Sequence, residues 1–400
     1  MVEYECKALN LLILSKASFF RKNYMTFNDR FIALPVGQGD AFYLEKNGRR
    51  ILFDGGRYEK VFPETFVHHV GQIKCIDIMV CSHADADHVN GLIGLLESNI
   101  VTTREVWLPG KWSNRIIDMS VNSTEFLYEL AEDIFKVDAD DLGELESLPL
   151  SETMNSEFDE IQEGEVEAAL ESECLFDTEL SPIVLSIPLR PFRNLYLFID
   201  AFQTAKRIRK LAKAAYHHGA QIKWFDYDEF QKTERPDGGS KELLIPVNSV
   251  ESKPRKLKIS AIHYLALSVA NRQSLVFLAP ETKAGPSVLF TADSDLRFSI
   301  NVPCPSESII VTSPHHGSES NSNAYTQIRN WMKSASFKGT EYWVRSDGNY
   351  KSRPGSSFKS LRADRRCTIC HQAGKRRSSV VYKNTSGGWN PLSPPHACNC

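Results

Sequence analysis

The chain has 400 residues, 42% of them hydrophobic, 10% aromatic and 24% charged. That globular composition excludes collagen-like, coiled-coil and wholly disordered chains. Its formal charge is −3, from 47 basic and 50 acidic side chains, so only a local concentration of charge can argue for a nucleic-acid partner.

Residues 1–24 precede the first strand pattern and read as an N-terminal extension. No basic segment stands before the short apolar run at 8–14, which argues against a signal peptide. No stretch approaches the roughly 18 apolar residues of a membrane helix. A cytoplasmic protein without a membrane partner is the expectation. Short β-branched and aromatic runs broken by Gly, Pro, Asn and Asp predict strands at Phe31–Pro35, Ala41–Glu45, Arg50–Phe53, Ile76–Cys81 and Glu105–Leu108. Further strands are predicted at Ile183–Ile187, Leu195–Ile199, Leu257–Ile262, Ser274–Leu278, Ser287–Thr291, Ser308–Thr312 and Tyr342–Arg345. Helical patterns fall at Val89–Glu97 and Ala201–His217. Together they predict an α+β fold over 25–350, with two sheets face to face and helices outside.

Between the two sets of strands lies an acidic insertion at about 125–180, with 20 Asp/Glu against the single Lys136. Phe126, Leu127, Leu130, Ile134 and Phe135 recur near helical spacing, so its first part reads as a helix. The remainder, 136–175, is expected to be loosely packed, and the insertion is a candidate site for a protein partner or a mask over a basic groove. Residues 351–400 read as a linker and a Cys/His-rich tail. Nine cysteines, four of them in the last 34 residues, suit a reducing compartment and a metal-binding tail. Cys367 and Cys370 form a Cys-x₂-Cys pair, and Cys398 and Cys400 a Cys-x-Cys pair. These four thiolates suit one structural zinc, with His371 or His396 as substitutes.

The strongest motif is Cys81-Ser-His83-Ala-Asp85-Ala-Asp87-His88-Val-Asn-Gly91. An apolar strand runs into it and a helix pattern leaves it. Four imidazole and carboxylate groups at one strand-to-helix turn can converge on a divalent metal. Two later strands also end in ligand types: Ser287–Thr291 leads to Asp293, and Ser308–Thr312 leads to His315 and His316. Separate caps or turns at all three strand ends explain this poorly.

These residues resemble the metallo-β-lactamase-fold hydrolases, most closely the hydrolase domain of ComEC-type DNA-uptake (competence) proteins. The resemblance rests on Val36-Gly-Gln-Gly-Asp40-Ala41, Ile51-Leu-Phe-Asp54-Gly55-Gly56, the His83–His88 motif, Asn271 with Ser274-Leu-Val276, Phe290-Thr-Ala-Asp293 and His315-His-Gly-Ser318. It covers about 26–350, outside the insertion and the tail. It implies an αβ/βα sandwich with one or two divalent metals, Zn or Mn, held by His83, Asp85, Asp87, His88, Asp293 and at least one of His315 and His316, one of which matches the family's late His ligand. Asp293 matches the carboxylate that bridges two metals. Asp54 matches a residue that orients ligands from behind, and Asp40 holds the turn that Gly37 and Gly39 permit. Three positions depart from the superfamily pattern. Asp85 replaces the commoner His, which favours harder ions such as Mn. The usual middle His has no direct counterpart, and His263 and Asn271 are the two candidates in its region. Arg353 stands where a His-Pro pair has its His, and an Arg there can contact a phosphate.

The implied function is metal-dependent hydrolysis with Asp87, His88, Asp293 and His316 at the catalytic centre. A metal lowers the pKa of its water towards about 7 and supplies hydroxide. A phosphodiesterase or nuclease acting on nucleic acid or nucleotide is the leading expectation. The alternatives are a small-nucleotide phosphodiesterase or phosphatase, and a catalytically weak, metal-containing nucleic-acid-binding module.

Overall fold

The computed structural model describes residues 29–136, 159–160, 164–177, 195–256, 260–261, 264, 273–282, 285–348, 350–369, 377–385, 387–393 and 398. The strands in chain order are β1 Arg30–Ala33, β2 Phe42–Lys46, β3 Arg49–Phe53, β4 Cys75–Val80, β5 Thr102–Pro109, β6 Asp159–Glu160, β7 Gln221–Asp226, β8 Ile245–Pro246 and β9 Val250–Ser252. They continue with β10 Arg255–Lys256, β11 Phe277–Ala279, β12 Ser287–Phe290, β13 Ser308–Thr312, β14 Thr340–Arg345, β15 Asp364–Cys367, β16 Val380–Thr385 and β17 Gly388–Ser393. Nine of them form one sheet in the order β17-β16-β1-β2-β3-β4-β5-β7-β9, and six form a second, β15-β14-β13-β12-β11-β8. β3, β4, β5 and β7 run parallel, as do β12, β13, β14 and β15.

Alternation along the strands sorts the core into layers, because successive side chains point to opposite faces. Phe31, Phe42, Phe53 and Val80 of the larger sheet join Phe277, Phe290, Ile310 and Val344 of the smaller one in a single apolar cluster. The rings of Phe53 and Phe290 stack at 4.6 Å. The alternate residues Ile32, Tyr43, Leu52 and Met79 face helices Phe62–Val70, Ala86–Ser98 and Leu195–His217. On the far side, Leu289, Ile309, Val311 and Trp343 pack against Tyr325, Ile328 and Trp331 of helix Ser322–Ser334. The protein is thus a mixed α/β structure of two sheets with helices on their outer faces. Among the described residues, no helix is long and apolar enough to cross a membrane.

Three expectations are corrected. Leu195–Ile199 is not a strand but the first turn of helix Leu195–His217. Phe198, Ala201, Phe202, Ala205, Ile208, Leu211, Ala212 and Ala215 are buried at helical spacing, and a short apolar run is ambiguous without that longer period. Within the acidic insertion, the described part of 136–175 is packed rather than loose. In helix Glu165–Glu171 and the turn after it, Val166, Leu170 and Phe176 are buried in the main core. Buried Arg209 crosslinks the region, donating to Ser120 Oγ at 2.8 Å and pairing with Asp177 at 3.1 Å. The helix expected at the start of the insertion is Ser123–Lys136.

The third correction concerns 351–400, which is not a linker with a separate tail. β15 extends the smaller sheet beside β14, and β16 and β17 extend the larger one beside β1. Trp389 is buried, and its indole N–H donates to Ser287 O at 2.8 Å. This ties β17 to β12 of the opposite sheet. The 1–24 extension and the predicted strand Ile183–Ile187 lie outside the described residues, as do His263, Asn271, Cys370, His371, His396 and Cys400. Of Leu257–Ile262, only 260–261 are described.

A second crosslink between the sheets comes from a buried lysine. Lys46, at the end of β2, donates its ammonium to Pro286 O at 2.6 Å and Gly285 O at 3.2 Å, just before β12. Burial pushes its pKa down to about 8 against the pull of Asp29 and Glu281. Lys46→Met keeps the apolar stem but leaves two carbonyls without this donor. The expected loss is on the order of 2 kcal/mol, read as a lower urea midpoint at unchanged m-value.

Candidate metal centre

The cluster sits where several strands end on one edge of the two sheets. β4 leads into the His83–His88 turn, β12 into Asp293, and β13 into His315 and His316. Asp40 comes from the β1–β2 turn, and Asp54 directly follows β3. Asp85 occupies the N-cap of helix Ala86–Ser98, yet its side chain makes no capping hydrogen bond. Its carboxylate instead lies 3.6 Å from His83 Nε2. Gly39, at φ 93°, lets the β1–β2 turn press on Asp87, since a Cβ there would overlap the Asp87 carbonyl.

Asp293 is the centre of the arrangement. Its Oδ1 lies 3.3 Å from His88 Nε2 and 3.5 Å from His316 Nε2. Its Oδ2 lies 3.4 Å from His315 Nε2 and 3.7 Å from His83 Nε2. Asp87 Oδ2 stands 3.6 Å from His316 Nε2. His315 and His316 both adopt left-handed backbone, at φ 45° and 55°. Consecutive non-glycine residues in that region are strained, and such strain concentrates at functional sites. Here it turns both imidazoles towards one carboxylate.

Each imidazole is held from behind through Nδ1. His88 Nδ1 meets Asp54 Oδ2 at 2.8 Å, and His316 Nδ1 meets Asp40 Oδ1 at 3.0 Å. His315 Nδ1 meets Asn321 Oδ1 at 2.9 Å. His83 Nδ1 meets Ser82 Oγ at 2.9 Å, and that hydroxyl donates to Asp54 at 2.7 Å. These acceptors fix the tautomer with the proton on Nδ1, which leaves every Nε2 lone pair for the centre. Asp40 therefore does more than hold its turn.

Electrostatics follow from this crowding. Burial disfavours charge on His88, but Asp293 and Asp54 outweigh it and raise its pKa well above the ordinary value. Burial likewise opposes charge on His316, and Asp293 and Asp40 raise it to about 9. Burial would raise the pKa of Asp293, yet His316, His88 and His315 hold it well below the usual carboxylate range. Two groups, the first wholly buried and the second buried except for half-buried Asp85, offer ligand atoms within 4.8 Å of one another: Asp40, His88, Asp293 and His316, and His83, Asp85 and Asp293. The donor set fits a divalent cation. His83 Nε2 is buried with no hydrogen-bond partner, and His88 Nε2 and His316 Nε2 face each other at 3.3 Å. Without a cation, at least one of them must carry a proton to avoid opposed lone pairs.

Several contributors escaped the sequence reading. Ser82 and Asn321 hold imidazoles, as described. Asp347 Oδ1 accepts from Gly39 N at 3.2 Å, and Asp347 Oδ2 pairs with Arg345 at 2.9 Å and Arg353 at 3.3 Å. Arg353 is thus anchored to Asp347, and its guanidinium lies over the Tyr350 ring at 4.7 Å. Arg207 donates to Ala84 O at 2.8 Å, inside the ligand motif. Only Ser82 adjoined a recognised ligand in the chain; the others carried no local signal. In the tail, Cys367 and Cys398 are buried with their sulfurs 3.5 Å apart. No family model matches the chain, and no curated protein matches it either.

Proposed function

We propose that this protein is a two-metal hydrolase of phosphodiesters, acting on nucleic acid or nucleotide, with the metallo-β-lactamase-type sandwich of the ComEC-like branch. The observation that carries the reading is the division of Asp293, whose two oxygens face different imidazole pairs. A carboxylate so placed is suited to bridge two cations, one near His83, Asp85 and His315, the other near Asp87, His88 and His316. His315 supplies an imidazole where the sequence alone left a middle ligand unassigned. Bound divalent metals would supply Lewis acidity and a nucleophile at neutral pH. Asp54, Asp40, Asn321 and Ser82 hold the four imidazoles in register. Carboxylates at Asp85, Asp87 and Asp293 balance dipositive charge and give a harder donor set that suits Mn as well as Zn. Arg207 and Arg353, beside the centre, bring positive charge to an edge where a phosphodiester must approach.

The test is turnover of a bis-aryl phosphodiester by the full chain with added Mn or Zn. Chelation should abolish it and readdition should restore it. Metal bound without turnover would instead support a nucleic-acid-binding module, and turnover restricted to aryl monophosphates a phosphatase.

The tail carries a separate proposal of one structural zinc held by Cys367, Cys370, Cys398 and Cys400. The approach of the Cys367 and Cys398 sulfurs supports it, since tetrahedral thiolate sites need such convergence. Because β15 to β17 belong to the sheets, truncation would disturb the sandwich, so point variants are the cleaner probe. Cys398→Ser is expected to lose one zinc equivalent by elemental analysis while the Asp293 centre keeps its metal. Unchanged zinc content in Cys367→Ser and Cys398→Ser alike would remove the proposal.

A further inference from the structure

Beside the metal centre, five side chains gather around the turn Gly37-Gln38-Gly39. Tyr58 is 49% exposed, so its ring is open to a ligand. Its ring edge reaches 3.3 Å from where a Gly37 side chain would start, and the Arg377 guanidinium fills the same space. Tyr350 donates its hydroxyl to Gln38 Oε1 at 3.1 Å, and Arg57 donates to that same oxygen at 3.0 Å. Arg353 lies on the Tyr350 ring. The Gln38 amide in turn stands 3.5 Å from Asp87 Oδ2. One side chain therefore links the group to the centre.

The charge is one-sided. Asp347 answers Arg353. Among the described residues, Arg57 and Arg377 have no carboxylate within ion-pairing distance, and both are exposed. One exposed ring flanked by guanidinium groups suits a stacked base joined to its neighbours by phosphates. A duplex offers no open base face to such a ring.

We infer that this turn is a docking platform for a single-stranded polynucleotide, with a base stacked on Tyr58 and flanking phosphates on Arg57 and Arg377. The inference rests on the phosphodiester reading above and names the form of polymer that reaches the centre. Gln38 would set the distance between the stacked base and Asp87.

The experiment is fluorescence-anisotropy binding of a phosphorothioate oligothymidylate, which resists cleavage, to the full chain over a range of KCl. Tyr58→Ala should weaken binding about 5- to 150-fold, the range for losing one base–aromatic stack, and Tyr58→Phe should restore it. The Arg57→Gln/Arg377→Gln variant should reduce the slope of log K against log salt by about 1.4, for two phosphates on a single strand. Duplex DNA should show no Tyr58 dependence. Parent-like oligothymidylate binding by Tyr58→Ala would overturn the inference. So would equal loss on duplex, no binding by the parent, or competition by polyglutamate as strong as by oligothymidylate. Because the readout is binding, a parent that binds through Tyr58 but never hydrolyses removes only the hydrolase reading. A hydrolysing parent with Tyr58-independent binding removes only this one.

Discussion

Asp293→Asn is expected to lower phosphodiester turnover about 10³-fold and to lower metal stoichiometry with it. Asn keeps the volume at a position only 2% exposed but removes the charge that four imidazoles face. In the proposed two-cation centre, losing the shared charge would forfeit several kcal/mol of electrostatic stabilisation, and about 4 kcal/mol corresponds to 10³ in rate. The far-UV spectrum should remain that of the parent, because Asp293 lies past the end of β12 and not among the apolar clusters. The Asp87→Ala/Asp293→Ala variant sharpens the test, since it takes the shared carboxylate and one of the two beside it. Parent-like turnover by that protein would place the chemistry elsewhere.

Metal affinity should rise steeply with pH. His316 holds its proton up to about 9, and His88 holds its own well above the ordinary range. A cation that takes both Nε2 positions must displace both protons. Below about pH 9 the association constant should therefore climb towards roughly 100-fold per pH unit, tenfold for each proton released, and the slope should lessen as His316 deprotonates. Competition against a chromophoric chelator at several pH values reads this slope directly. A flat profile would mean that these imidazoles do not give up protons to metal. Asp40→Asn removes one of the carboxylates that raise His316, so its change of slope should move to lower pH while affinity falls about 10–100-fold. The metal-free chain should show the opposite trend in stability. A folded pKa of about 9 against 6.5 stabilises the fold fully below pH 6.5, and that contribution is lost as pH rises through 9.

Much of the centre was legible because its signals are local. Ile76–Val80 is a strand that is apolar apart from Asp77, and the residues after it are too rich in imidazole and carboxylate for a turn alone. The same reading picked out Asp293 and the His315–His316 pair. The strands flanking these motifs were found for the same reason, since β1, β3, β12 and β13 are short apolar runs bounded by polar or turn residues.

What the chain could not announce depends on partners far away in sequence. Two of the acceptors behind the imidazoles lie on other loops: Asp54 is 34 positions from His88, and Asp40 is 276 from His316. The role of His315 required its left-handed backbone, where Pro314 and Gly317 beside the pair mark only a turn. The tail resembled a linker because β15, β16 and β17 are short and polar on one side, and β16 finds its neighbour β1 only in the finished sheet. The acidic insertion looked solvated on composition, yet Leu170 and Phe176 enter the core once Arg209 gathers the carbonyls and Asp177 around itself. By itself, the sequence determined which residue types end the strands, because alternation and ligand chemistry are properties of adjacent residues. Only the tertiary structure decided how those ends share Asp293, since strand order, tautomer and backbone strain are set by contacts that exist only after both sheets have closed.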